Sequence, residues 1–402
     1  MASGADMRQF HSPVWLGAVT TTGSYSFAVL FVLETFSRGV LVAVVPLLAL
    51  ELFGDAQSVS VFYFAVSIAG VLGALAVPWL VQRLQRRWVM CLAVFFLCIS
   101  APFLASQTVV GLVVGMALHV SGAATLSICL NLYVLDHIQP KVLTRFEPLR
   151  MLFTGTVWVM APVLGIYLGK YGASWLPFVA SAGFALILLG YFWFLRITEK
   201  PILVPLTSTA TNPIYFVRRY FSQPRLVLAW LLAVGRSGWW MMFFVYAPIY
   251  AVTSGMGVEA GGWIVSAGSA SLFVVTFWGW IGRRVGLRRL LIWGYVTVGL
   301  FTIAVGLAAD TPWLGITMLL FACLAASAID GAGNVPFLRA VRSRERSGMT
   351  AVFSSNRDIA RLIIPGIFAL VLNLFALPAV FITSGLIMLA MAIYARYIPR
   401  RL

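Results

Sequence analysis

Long runs of apolar residues, separated by short polar stretches, dominate the chain. Twelve runs are found, at about 24–48, 58–81, 88–105, 109–135, 151–170, 175–196, 226–251, 261–281, 290–308, 314–338, 349–373 and 377–396. Most reach or approach the roughly 20 residues with which an α-helix spans a hydrocarbon core. The pattern predicts an all-α polytopic membrane protein of about twelve transmembrane helices. Connecting loops are short and leave no room for a large extramembrane domain.

Composition supports this reading. Of 402 residues, 61% are hydrophobic and 10% charged, with a mean hydropathy of +0.97. A soluble domain carries about 25% charged and 45–50% apolar residues, so most soluble enzymes are excluded. The net charge of +16 would in a soluble protein suggest nucleic acid. Its placement argues otherwise. With a cytoplasmic N-terminus, 23 of the 28 basic residues fall in cytoplasmic segments or helix ends, among them Arg83, Arg86, Arg87, Arg150, Arg283, Arg284, Arg288 and Arg289. Arg38, Arg236, Arg357 and Arg361 lie within predicted helices, and Lys170 alone lies outside. The positive-inside rule then places both termini in the cytoplasm, the charge is a topology signal, and no nucleic-acid partner is expected.

Cys91, Cys98, Cys129 and Cys323 all fall inside apolar runs, as small buried hydrophobes without metal-site spacing. The first 20 residues lack an apolar core followed by a small-residue cleavage site, so no signal peptide is expected. Short loops and termini favour a bacterial inner membrane.

The chain repeats internally. Shifting it by about 202 residues brings Pro46 onto Pro248, Ser67 onto Ser269 and Arg86-Arg87 onto Arg288-Arg289, and Pro162 falls near Pro365. Six helices per half give parallel repeats: a bundle over 1–196, a polar linker over 197–225 and a second bundle over 226–402. The linker mixes Pro, Thr and Ser with charge, and its Arg218-Arg219 pair reads as an interfacial anchor.

The loop Gly279-Trp-Ile-Gly282-Arg283-Arg284-Val-Gly286-Leu-Arg288-Arg289 resembles the glycine-and-arginine loop signature of the major facilitator superfamily, with Arg283 at the acidic position. The first-half equivalent keeps Arg83, Arg86 and Arg87, with Pro78, Gln82 and Gln85 where the family has Gly, Asp and Gly. The resemblance implies two six-helix bundles that rock about a midplane site, and a loop that gates the cytoplasmic side. Gly155 and Ala161-Pro162-Val-Leu-Gly165 are similar to a signature of the family's proton-coupled exporters; proline and small residues also suit a kinked packing helix. Where such exporters bring an arginine into the fourth helix, this chain has His119.

Ionisable groups at membrane depth are costly and either pair or face a cavity. Glu34 and Arg38 stand four apart on one helical face. At 1.5 Å per residue Glu34, His119 and Arg236 share one level, roughly 15 Å from the cytoplasmic helix ends. The resemblance places their helices around the central cavity, with Glu34 facing Arg236 across the pseudo-twofold axis. Either Glu34 takes and releases a proton as the cavity alternates, with Arg38 or Arg236 approaching and leaving, or Glu34–Arg38 is a permanent neutralising pair. His119 is a hydrogen-bonded buried histidine or a proton relay. Nearer the cytoplasm lie Asp330, Asn334, Arg357, Asp358 and Arg361, with Asp330 expected to pair with Arg357 or Arg361. Asp136, Arg145, Glu147 and Arg150 form a matching set. Both sets read as gates, or Arg357 or Arg361 reaches an anionic substrate group. Trp239, Trp240, Phe243, Phe244, Tyr246 and Tyr250 make the seventh run aromatic, and 239, 243, 246 and 250 form one stripe. That stripe either stacks on a substrate or is a packing seam.

No catalytic constellation, phosphate loop or metal spacing is present, so the chain is expected to be neither an enzyme nor ATP-driven, and to need no cofactor and no metal. A secondary transporter remains. Proton-coupled export of small amphipathic compounds by a monomer is expected, with the lipid bilayer, a small organic substrate and protons as partners. Uptake of an organic anion, or a non-transporting assembly or delivery factor, are the alternatives.

Overall fold

The computed structural model describes residues 24–138, 140–195, 213–308, 310–341 and 346–399. The N-terminal segment, Arg196, residues 197–212 of the linker, Arg342, Arg344, Arg400 and Arg401 lie outside the described residues, as do the side chains of Lys141, Arg145 and Arg346. No strand occurs among the described residues. The helices are α1 Ser24–Gly39, α2 Val44–Phe53, α3 Ala56–Arg83, α4 Arg86–Ala105, α5 Val109–His137, α6 Pro140–Tyr167 and α7 Leu176–Phe194. After the linker come α8 Pro213–Phe221, α9 Pro224–Thr253, α10 Val258–Ala270, α11 Val275–Val285, α12 Leu287–Leu307, α13 Pro312–Ala332, α14 Val335–Ala340, α15 Arg346–Ser354, α16 Asn356–Leu374 and α17 Pro378–Ala395.

Local chemistry sets the boundaries. Gly54 takes φ +81°, which a side chain disfavours, and so ends α2 in a left-handed turn. Asp55 follows at once and caps α3 by accepting from the Ser58 amide at 2.7 Å. Thr108 caps α5 from the Gly111 amide at 3.1 Å. Proline opens α7, α9, α13 and α17, where its missing N–H costs nothing.

Ten helices or helix pairs among the described residues are long and apolar enough to cross a membrane, or eleven if the pair Val258–Val274 and Phe277–Val285, bent by 50°, is one span. The expected count of twelve therefore rests on α16, which carries Arg357, Asp358 and Arg361 in its first two turns. Several apolar runs are also broken: the first divides into α1 and α2 at residues 40–43, and the eighth is interrupted by a 3-10 turn at Ser271–Val274. A π-turn, Leu168–Gly172, extends α6, and α8 occupies part of the expected linker. Periodicity of apolar residues cannot register such breaks, because the interrupting residues are themselves apolar or small.

Helices α1 to α7 pack mainly among themselves, and so do α9 to α17. Two seams join the groups, α3 against α16 and α6 against α10, with α2 meeting α9. The helices approach closely where side chains are small. A Cβ on Gly165 of α6 would lie 1.9 Å from the Val40 carbonyl, and one on Gly39 2.8 Å from Ala161. The Gly155, Pro162 and Gly165 segment is thus a packing seam: Gly262 of α10 comes within 3.5 Å of the Pro162 carbonyl on the same measure. Large apolar side chains such as Leu75, Val110 and Leu370 stand exposed around the outside, where the bilayer takes the place of water.

Gly165→Ala is expected to force α1 and α6 apart, because backbone cannot yield as a side chain does. The apparent melting temperature in detergent should fall by the equivalent of about 1–3 kcal/mol. Gly183→Ala, where nothing lies within 4 Å of the new methyl group, should leave it unchanged.

Candidate functional site

The charged residues of the helix interior gather where the two groups of helices face each other. On α1, Glu34 is only 2% exposed. Arg38 Nε lies 2.9 Å from Glu34 Oε1, a second guanidinium nitrogen donates to Oε2 at 3.2 Å, and the Thr35 hydroxyl lies 3.4 Å from Oε2. One helical turn separates the two residues, so the pair forms within α1 itself. The carboxylate is enclosed, whereas the Arg38 side chain keeps 30% of its surface exposed. His119 on α5 is buried, lies within electrostatic range of Arg38, and has no hydrogen-bond partner at Nδ1 among the described residues.

Arg236 has a different partner from the one symmetry suggested. Its Nε lies 3.4 Å from Asp330 Oδ1, and its guanidinium donates to Asn334 Oδ1 at 3.2 Å. Trp240, one turn along α9, donates to Asp330 Oδ2 at 2.8 Å. Positions 236 and 240 on α9 thus face Asp330 in the last turn of α13 and Asn334 just beyond it, two pairs four residues apart interlocking. Gly333 makes room, since a Cβ there would sit 2.2 Å from an Arg236 nitrogen. The expected pairing of Asp330 with Arg357 or Arg361 is therefore corrected to Arg236, the cation its own neighbouring helix supplies.

The aromatic stripe of α9 is a packing seam. Trp239, Phe243, Tyr246 and Tyr250 are all buried, at 3% exposure or less. Trp239 stacks on Phe243 at 5.9 Å and donates to Thr302 of α12 at 2.9 Å. Tyr246 meets Phe368 edge-on and shares a 2.5 Å hydrogen bond with Ser60 of α3. The half-buried side chains of α9 form a neighbouring stripe, Arg236, Trp240 and Phe244, about 100° around the helix. Phe244 lies between Trp240, at 5.6 Å, and Trp158 of α6, at 5.1 Å.

Arg357 and Arg361 project from the first two turns of α16 and are exposed. Asp358 lies 3.8 Å from Arg361. Ser237 donates to the Asn356 side chain at 2.9 Å, and Ser67 of α3 donates to the Arg361 carbonyl at 2.8 Å, so both ends of this segment are anchored. The expected corner set divides. Arg150 pairs with Glu147 at 2.6 Å and lies over Phe31, whereas Asp136 pairs with Arg86 of the loop signature. Arg83 and Arg284 rest on Trp79 and Trp280 at 4.8 and 3.9 Å, Gly286 takes φ +94° to end α11, and Gly282 packs against Leu290. Arg87 lies 5.9 Å from the Trp88 ring.

Polar contacts between the two groups concentrate at the arginine-poor end. Lys170 Nζ lies 2.5 Å from Glu259 Oε1, the Tyr171 hydroxyl donates to the same oxygen at 2.6 Å, and Gln57 donates to Asn373 at 3.1 Å. Sequence reasoning left Lys170 as a stray outer cation and missed this latch. A lone cation at that end, five residues past the family-like proline and glycine segment, was the available signal. Trp158 was also missed, because nothing local distinguishes it from an ordinary packing tryptophan.

The profile described as Major Facilitator Superfamily matches residues 27–361. Similar solved structures include the nucleoside transporter NupG, with 13% identity over 93% of this chain and 98% of that chain and a TM-score of 0.74. The peptide transporter POT in complex with sulfate has 15% identity over 95% of each chain and a TM-score of 0.75. A D-xylose–proton symporter has 14% identity over 97% of this chain and 99% of that chain, with a TM-score of 0.73. No curated protein sequence matches the chain significantly.

Asp330→Asn should leave Arg236 uncompensated and destabilise the protein by about 3–5 kcal/mol, with partial recovery in Asp330→Asn/Arg236→Gln, read from thermal melts. Glu259→Gln should loosen the latch. In a background without the four native cysteines, a cysteine placed at Asn373 should then react several-fold faster with a membrane-impermeant thiol reagent.

Proposed function

The chain belongs to the Major Facilitator Superfamily, and on that premise we propose that it is a proton-coupled secondary transporter of a small amphipathic organic compound, working by alternating access. The observation that carries the reading is the Glu34–Arg38 pair, an enclosed carboxylate whose cation reaches the space between the helix groups. In the described state the latch closes the arginine-poor end, and partly exposed Arg38, Arg357 and Arg361 mark a space open toward the other end. By the positive-inside rule that open end is cytoplasmic, both termini lie there, and the state faces inward. Two bundles, 1–196 and 226–402, joined by the linker 197–225, would rock about the α3–α16 and α6–α10 seams.

Export is the direction the α6 signature supports. Its close contacts with Gly39 and Val40 of α1 and Gly262 of α10 lie toward the latch, where they would hold the outer side shut between cycles. The arginines on α16 favour a second reading, uptake of an organic anion. A bacterial inner membrane and a monomeric state fit either. A static assembly or delivery factor would have little use for charges reaching an open space.

In proteoliposomes, Glu34→Gln should abolish the dependence of substrate movement on an imposed pH gradient while leaving counterflow exchange measurable. Unchanged pH-gradient dependence would remove Glu34 from coupling. Loss of all transport together with a lowered melting temperature would point to Glu34–Arg38 as a structural pair.

A further inference from the structure

Around Arg357 of α16, the guanidinium groups of Arg38 on α1, Arg150 on α6, Arg236 on α9 and Arg361 one turn further along α16 lie within electrostatic range. Four have an acidic partner, in Glu34, Glu147, Asp330 and Asp358 respectively. The last of these is loose, at 3.8 Å with both side chains about half exposed. Arg357 makes no ion pair of its own among the described residues, although Asp358, which pairs with Arg361, lies within electrostatic range. It is also held in place, because the Ser237–Asn356 bond at 2.9 Å joins the residues next to Arg236 and Arg357. Two like charges are thereby pinned on neighbouring helices, and only one has its counter-ion. An exposed guanidinium with no ion pair of its own can take an anion beside it without first breaking a salt bridge.

The adjoining wall is of another kind. Trp240, Phe244 and Trp158 form a continuous column of half-buried rings, inclined at 25° and 29° to one another, running from the Arg236–Asp330 pair to α6. Such a column presents ring edges along its side and a ring face at each end, an apolar surface beside the Arg236–Asp330 pair.

We propose that this space binds an organic anion, its carboxylate or phosphate group held by Arg357 and Arg361 and its planar apolar body lying against Trp240, Phe244 and Trp158. A guanidinium presents a fork of donors matched to either oxyanion, and the ring column supplies the apolar contact that fixes the rest of the molecule. The loose Asp358–Arg361 contact is the one the anion would replace. The assignment rests on the reading of this space as the transport site, and it holds for either direction of transport.

The test titrates the purified full-length protein with indole-3-acetate and phenyl phosphate, and with the uncharged indole-3-ethanol and the cationic tryptamine, following tryptophan fluorescence and thermal stability. Both anions, or one of them, should bind at least about tenfold more tightly than indole-3-ethanol. Arg357→Gln should erase that preference, Arg357→Lys should keep part of it, and Trp158→Leu should weaken all the ring compounds alike. Equal or tighter binding of the neutral or cationic compound, a preference that survives both Arg357→Gln and Arg361→Gln, or no binding of either anion would overturn the proposal. Labelling of a cysteine at Asn373 under an imposed pH gradient separates this failure from that of the transport reading. If the outer end opens but anions are not preferred, the substrate class falls alone; if it never opens, transport falls as well.

Discussion

A charged side chain at the centre of a bilayer costs about 2.5–3.5 kcal/mol on insertion scales, and more where it has no route to water. That cost organises the interior of this protein. Glu34 is met by Arg38 within its own helix, Asp330 by Arg236 and Trp240, and Asp136 by Arg86 at the arginine-rich end. Each acid is placed where a cation one turn away or on the adjacent helix can reach it. Arg357 and Arg361 are exposed in the first two turns of α16, where Asp358 gives Arg361 only a loose partner at 3.8 Å.

The packing follows from the same constraint. Lipid offers no hydrophobic drive between helices, so contact depends on how closely backbones approach. Gly299 and Gly385 show this between α12 and α17, where a Cβ on either would come within 2.9 Å of the other's carbonyl oxygen. The Gly39–Ala161 and Gly165–Val40 contacts do the same between α1 and α6. Close seams of this kind join α1 to α6 and α12 to α17, and the polar contacts of Lys170 and Tyr171 with Glu259 tie the end of α6 to α10 across the two groups.

Much of the fold was legible in the chain, because a span must be apolar along its whole length and that requirement is written into consecutive residues. The breaks at 40–43, at 271–274 and at Ser355 were not legible, since each depends on neighbours distant in sequence. The same division holds at the site. Glu34–Arg38 is readable because one helical turn links the residues. Arg236–Asp330 is not, because which of several cations reaches an acid depends on the rotation of α9 against α13.

The sequence by itself determined a membrane protein of many helices, the end at which its arginines collect, and the short set of charges that must be accommodated inside. These follow from the energy of transferring residues between water and lipid, which depends on each residue separately. Only the tertiary structure decided which face of α9 is buried. A rotation of about 100° separates the half-buried Trp240 and Phe244 from the buried Trp239 and Phe243. Both faces are aromatic, so hydrophobicity alone cannot choose between them; the choice is made by the shapes of α12, α16 and α17 packed behind.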